Sequence, residues 1–209
     1  MKLKLVAMLL LAACVFAACG EDPAKEKRQR RTGNLLTPAS SGNPYEVMVV
    51  ADDSVWTGYA GRALQTILDK PLRGLPQDEP QFHKSHVEKA HYNRITNLFR
   101  NIVRINIGNE FTQAKMKVEK DVHSIPQLII TVNAPNQVEA SIYITEHTGE
   151  IESLLVNEEI NRAANDLYFE HNIKFSKAVK EMFGCEMYIP VDIKKMKKGE
   201  DFIWASNDG

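Results

Sequence analysis

The stretch YEVMVVADDS, Tyr45 to Ser54, runs four apolar residues, Val47 to Val50, straight into Asp52, Asp53 and Ser54. A short, partly β-branched apolar run bounded by polar residues reads as a buried strand. The acidic turn then starts a helix. Ala60, Ala63, Leu64, Ile67 and Leu68 recur on one helical face through about Leu68. Asp53 or Ser54 is a natural N-cap, because its side-chain oxygen can accept a free backbone N–H.

Working outward, Pro71, Gly74, Pro76 and Pro80 enforce a loop. Phe82 to Lys89 reads as a strand and Tyr92 to Phe99 as a short helix. Ile102 to Ile107 and Gln127 to Val132 read as further strands, with the polar segment Phe111 to Val122 unassigned between them. Pro135-Asn136 opens a long helical region. Val138, Ile142, Ile151, Leu154, Leu155, Ile160, Ala163, Leu167, Phe175, Val179 and Met182 recur there at mostly helical spacing, with breaks near Gly149 and Asn157. Gly184 is a helix stop. Met187 to Pro190 and Phe202 to Trp204 read as late strands, and the lysines at 194, 195, 197 and 198 as a solvated turn between them. Strands on both sides of long helices predict an α+β domain over residues 45–209: a mixed, largely antiparallel sheet with helices packed on one face.

The N-terminus carries different information. Lys2 and Lys4 precede the apolar run Leu5 to Phe16. A spanning helix needs about 20 apolar residues, so this run is a secretory h-region instead. Ala17-Ala18-Cys19 resembles a bacterial lipobox, in which the thiol is lipidated and the preceding peptide bond is cut. Leu11-Ala12-Ala13-Cys14 fits the lipobox pattern better. Cutting there shortens the h-region and leaves Val15 to Ala18 in the mature tether, so Cys19 is the expected lipidation site and residues 1–18 the signal peptide. An ordinary secreted protein cleaved near Ala18 is the other reading. Each buried CH₂ contributes about 0.8 kcal/mol and stable anchoring takes more than one chain, which an acylated cysteine supplies.

Residues 19–44 read as the lipidated cysteine and a flexible linker, from the charge run Lys25 to Arg31 and the Pro/Ser/Gly cluster Thr37 to Pro44. The charge run is a solvated spacer or a headgroup contact. Glu21 and Asp22, just after Cys19, resemble an export signal for the outer face of the outer membrane, so surface exposure and periplasmic retention both stay open. Beyond the linker the chain holds 19 basic and 24 acidic residues, a balance that gives no basic face for nucleic acid.

Asp52 and Asp53 are the candidate acidic site. Carboxylates at the C-terminal end of a strand can line a crevice, hold a hard cation or shift each other's pKa. His83 and His86 fall on opposite faces of their strand, a poor arrangement for one metal, and no cofactor motif appears. Cys185, lying between the apolar Phe183 and Met187, reads as a buried inert thiol. Trp56, Tyr59, Tyr92 and Trp204 serve a core or, if exposed, a stacking surface.

The segments "PASSGNPYEVMVVADD", "NLFRNIVRINI", "SIPQLIITVNAP", "VKEMFGCEMYIP" and "GEDFIWASN" together resemble an uncharacterised family of Gram-negative lipoproteins, a domain of unknown function. The resemblance covers about Pro38 to Asn207 and implies no catalytic residue. Members of that family continue further, so it implies a C-terminally short member. The expected role is a lipid-anchored envelope protein that binds or scaffolds an envelope protein or glycan. The alternatives are an envelope hydrolase using Asp52 and Asp53, and a carbohydrate-binding surface lipoprotein.

Overall fold

Every one of Val47, Met48, Val49 and Val50 is buried, although neighbours along a strand point to opposite faces. The strand they form, β1 (Glu46–Val50), is covered on both sides. The computed structural model describes residues 37–72 and 74–207. Cys14, Cys19, the expected signal peptide and the expected linker up to residue 36 lie outside the described residues.

After β1 come α1 (Asp53–Trp56) and α2 (Tyr59–Leu68), then β2 (His83–Val87). Two 3₁₀ turns, Lys89–His91 and Thr96–Leu98, lead to β3 (Asn101–Ile107). Next are β4 (Lys115–Lys120), β5 (Leu128–Ala134), α3 (Gln137–Glu146), α4 (Thr148–Phe169) and α5 (Ile173–Phe183). The hairpin of β6 (Lys195–Lys198) and β7 (Ile203–Ser206) follows.

The main sheet has five strands in the order β2-β1-β3-β5-β4. The expected mixed sheet with helices is present, but its direction is corrected. β1 pairs in parallel with β2 and β3, β3 pairs in parallel with β5, and only β4 runs antiparallel, against β5. The connections explain this. α1 and α2 carry the chain back to the start of β2, and the 3₁₀ turns carry it back to the start of β3, so each next strand runs the same way.

Helices cover one face. Val47, Val49, Val103, Ile105, Leu128, Ile130 and Val132 pack there with Leu64, Ile67, Ala140, Ile144, Ile151 and Leu155. On the opposite face Met48, Val50, Ile102 and Ile129 meet Val87, Tyr92 and Phe99 from the 3₁₀ segment and its flanks. α3 starts at Asn136, whose side chain accepts the Glu139 amide at 2.9 Å. His147, not Gly149, separates α3 from α4, and α4 runs through Asn157 unbroken. The buried stripe of α4 begins apolar, at Ile151 and Leu155, and ends ionic, at Glu159 and Arg162.

Several local expectations need correction. The lysine-rich segment forms β6, paired antiparallel with β7 through Lys198 and Ile203, rather than a turn. Met187 to Pro190 makes one isolated bridge, His171 to Pro190, and no strand. The segment 92–99 holds a single 3₁₀ turn instead of an α-helix. Contacts begin before Tyr45: the Pro38 carbonyl accepts the Ile125 amide at 3.0 Å, and Ser41 N–H donates to Leu98 at 2.9 Å.

Candidate functional site

Asp52 and Asp53 stand at the carboxyl end of β1, beside β3. The chain leaves β1 toward β2 over the helical face and leaves β3 toward the far edge of the sheet. Open α/β sheets place ligand crevices where strand order diverges in this way.

The acidic turn is already engaged. Asp52 occupies the N-cap position of α1 but makes no capping bond with its side chain. Its carboxylate instead accepts from Lys89 Nζ at 2.9 Å. Neither Asp53 nor Ser54 is the cap, since the helix starts one residue earlier than expected. The Asp53 carboxylate lies 3.8 Å from His86 Nδ1. The other ring nitrogen of His86 meets the Ala51 carbonyl oxygen at 2.9 Å, and the ring stacks on Trp56 with centroids 5.1 Å apart. From the start of α3, Gln137 Nε2 donates to the Ser54 carbonyl at 3.3 Å. A Cβ on Gly58 would fall 2.6 Å from the Ser54 carbonyl oxygen, so glycine is what lets the chain turn tightly between α1 and α2.

The two carboxylates are therefore neighbours at one turn with different surroundings: Asp52 is paired with Lys89, and Asp53 lies 3.8 Å from the His86 ring. Among the described residues no three His, Cys, Asp or Glu side chains converge as a metal ligand set. His83 and His86 do fall on opposite faces: His83 is exposed at the sheet edge, and His86 is turned toward Trp56. Cys185 is exposed, against expectation, because it follows the Gly184 helix stop on a surface turn. Tyr59 and Trp204 are exposed, whereas Trp56 and Tyr92 are partly buried.

A second group was hidden from the sequence because pairing alone assembles it. On the face covered by the 3₁₀ segment, strand register aligns Val87, Val50, Arg104, Thr131 and Lys117 in one row across all five strands. The Arg104 guanidinium lies over the Tyr92 ring, 5.6 Å from its centroid. Arg104 Nε, Thr131 Oγ1 and the Tyr92 hydroxyl are buried without a hydrogen-bond partner among the described residues. Burial pushes the Tyr92 phenol up from its ordinary pKa, with Arg104 opposing. Beside them Lys117 grips Glu119 at 2.7 Å. That bond, more than the fields of Arg104 and His123, holds the Glu119 carboxyl below its usual range.

The model of a family described as a domain of unknown function (DUF8532) matches residues 40–168, well over half of the chain. The chain belongs to this family. The DUF8532 match takes in the whole five-stranded sheet, the acidic turn and the Arg104 row, and ends within α4. It leaves α5 and the β6–β7 hairpin outside. Comparison of this DUF8532 chain with curated proteins and with solved structures gave no match.

Proposed function

We propose that this is a lipid-tethered cell-envelope protein of the outer membrane that binds or scaffolds. The observation that carries the reading is the leader: Lys2 and Lys4, the apolar run Leu5 to Phe16, then Ala17-Ala18-Cys19. Among the described residues no helix is long and apolar enough to cross a membrane, so attachment through the folded region would need another route. Binding is favoured over hydrolysis because the Asp52 carboxylate is already paired to Lys89. A carboxylate that must take up a metal or a substrate proton would first have to give up that partner.

The test is acyl-chain labelling of the full chain in a two-membrane host, followed by protease treatment of intact cells. Labelling is expected to disappear in Cys19→Ala and to persist in Cys14→Ala. The reverse pattern assigns the lipid to Cys14, and no labelling in the unaltered chain overturns the tether. Digestion in intact cells marks an outward-facing protein; protection marks a periplasmic one.

One observation favours a glycan as the bound partner. Trp204 is 45% exposed and lines a shallow concavity with Phe202, Ile203, Lys197 and Lys198. An exposed indole offers a flat apolar face to a sugar ring. Glycan-array binding that Trp204→Ala abolishes would support this second reading, and binding unchanged in Trp204→Ala would remove it.

A further inference from the structure

We propose that Arg104 and Thr131, backed by Tyr92, form a binding site for a carboxylate on the face of the sheet that carries the 3₁₀ segment. This deepens the binding reading and stands independently of the tether.

The argument begins with an unmet demand. Buried polar groups are nearly always hydrogen-bonded, and each exception calls for an explanation. Here three exceptions fall together. Arg104 and Thr131 are register partners on neighbouring strands, so their side chains stand side by side on the same face. Tyr92 supplies the ring on which the guanidinium rests. Thr131 is only 7% exposed, yet its hydroxyl has no partner among the described residues.

The charges around them decide the ligand class. Glu119 is the nearby anion, and its carboxylate is taken by Lys117. Arg104 is left as a cation with no ion pair among the described residues. One free guanidinium matches one negative charge. Its planar fork matches a planar carboxylate, which it can bind through two parallel bonds. The Tyr92 ring, 5.6 Å from the guanidinium carbon, gives the cation an aromatic face to rest on. A phosphate dianion would call for more positive charge than this face leaves unpaired. An entering carboxylate oxygen would supply the acceptor that Arg104 Nε and the Thr131 hydroxyl lack, with the side chains shifting to admit it.

The experiment is a titration of the full-length chain, followed through the Arg104 Nε–H resonance at constant ionic strength. The probes are N-acetylalanine, its amide, acetate and inorganic phosphate. N-acetylalanine should shift that resonance saturably, and the amide should not. Tighter binding of N-acetylalanine than of acetate assigns the site to a peptide end; equal binding assigns it to small acids generally, and both support it. Arg104→Lys keeps the charge and removes the fork, and should weaken binding about tenfold. Thr131→Val keeps the shape and removes the hydroxyl, and should weaken it about threefold to tenfold. A strictly linear response, equal binding of the amide, or tighter binding of phosphate would each overturn the proposal. The unaltered chain alone decides this even if Arg104→Lys fails to fold. A flat titration would leave acyl labelling untouched, and absent labelling would leave the titration untouched.

Discussion

Arg100 and Glu159, 59 residues apart in the chain, close on each other through two bonds: Arg100 Nε donates at 3.1 Å and its NH2 at 2.8 Å. Asn101 Nδ2 donates to the same carboxylate at 2.7 Å, as does Arg162 at 2.7 Å. Arg162 also donates to the Asn101 side-chain oxygen at 2.8 Å and to the Arg100 carbonyl at 3.0 Å. One buried carboxylate thus fastens α4 to the start of β3. Burial pulls the Arg162 pKa down from its ordinary value, and Glu159 and Glu158 push it back.

Glu159→Gln should therefore cost about 3–5 kcal/mol, because it leaves buried cations without their anion. The urea midpoint would fall with little change in slope. A cost below about 1 kcal/mol would mean that the network is solvated in solution.

The network also shows where the sequence stops being legible. Helical spacing ran Ile151, Leu155, Ile160 and Leu167 together as one apolar stripe. The structure turns Ile160 outward, 52% exposed, and buries Glu159 beside it. An ionic stripe leaves no mark in hydrophobic periodicity; only Arg100 and Asn101 on a distant strand explain it. The central strands were readable because β1, β3 and β5 are buried on both faces and appear as nearly continuous apolar runs. Their direction was not, since side-chain period is the same in parallel and antiparallel pairs. β4, with Lys115, Lys117 and Lys120 around Met116 and Val118, is an edge strand with one partner among the described residues, so its charges masked it. The acidic turn was visible as a strand end followed by a helix start. The Arg104–Thr131 pair was not, because it exists only through register.

Asp52→Asn should cost less than about 1 kcal/mol in thermal unfolding. It removes a partly exposed pair to Lys89, and such pairs contribute little. No capping bond is lost, because the Asp52 side chain makes none. A loss of several kcal/mol would show that the turn depends on this carboxylate far more than its contacts imply.

Two glycines should respond with opposite signs. Gly184 ends α5 at φ +68°, and a Cβ there would meet nothing within 4 Å. Gly184→Ala should thus destabilise by about 1–2 kcal/mol through left-handed backbone alone. Gly149 lies in the first turn of α4, also with open space around it. Gly149→Ala should stabilise by about 0.5–1 kcal/mol by reducing the freedom of the unfolded chain. Chemical denaturation of both variants checks the contrast.

The contact among Lys180, Glu186 and Tyr188 should be strongest between the acidic and alkaline extremes. A hydrogen bond from Lys180, then one from Tyr188, holds the Glu186 carboxyl below its usual range. Its contribution is present above the unfolded pKa and fades as pH falls through the lower folded value. The bond to Glu186 raises the Tyr188 phenol and, foremost among its causes, the Lys180 amine. Their contributions are present below their unfolded values and fade as pH rises through the higher folded ones. Side-chain NMR titration of Tyr188 should show the acid transition displaced downward. In Glu186→Gln that transition should vanish.

The sheet terminates on both sides in strands with cationic or titratable side chains, Lys84 and the histidines of β2 at one margin and the lysines of β4 at the other. A strand from a neighbouring molecule adding to either margin would have to strip water from those groups. The five-stranded sheet is thereby self-limiting: its own rims resist growth into a larger assembly, even when such molecules are crowded together.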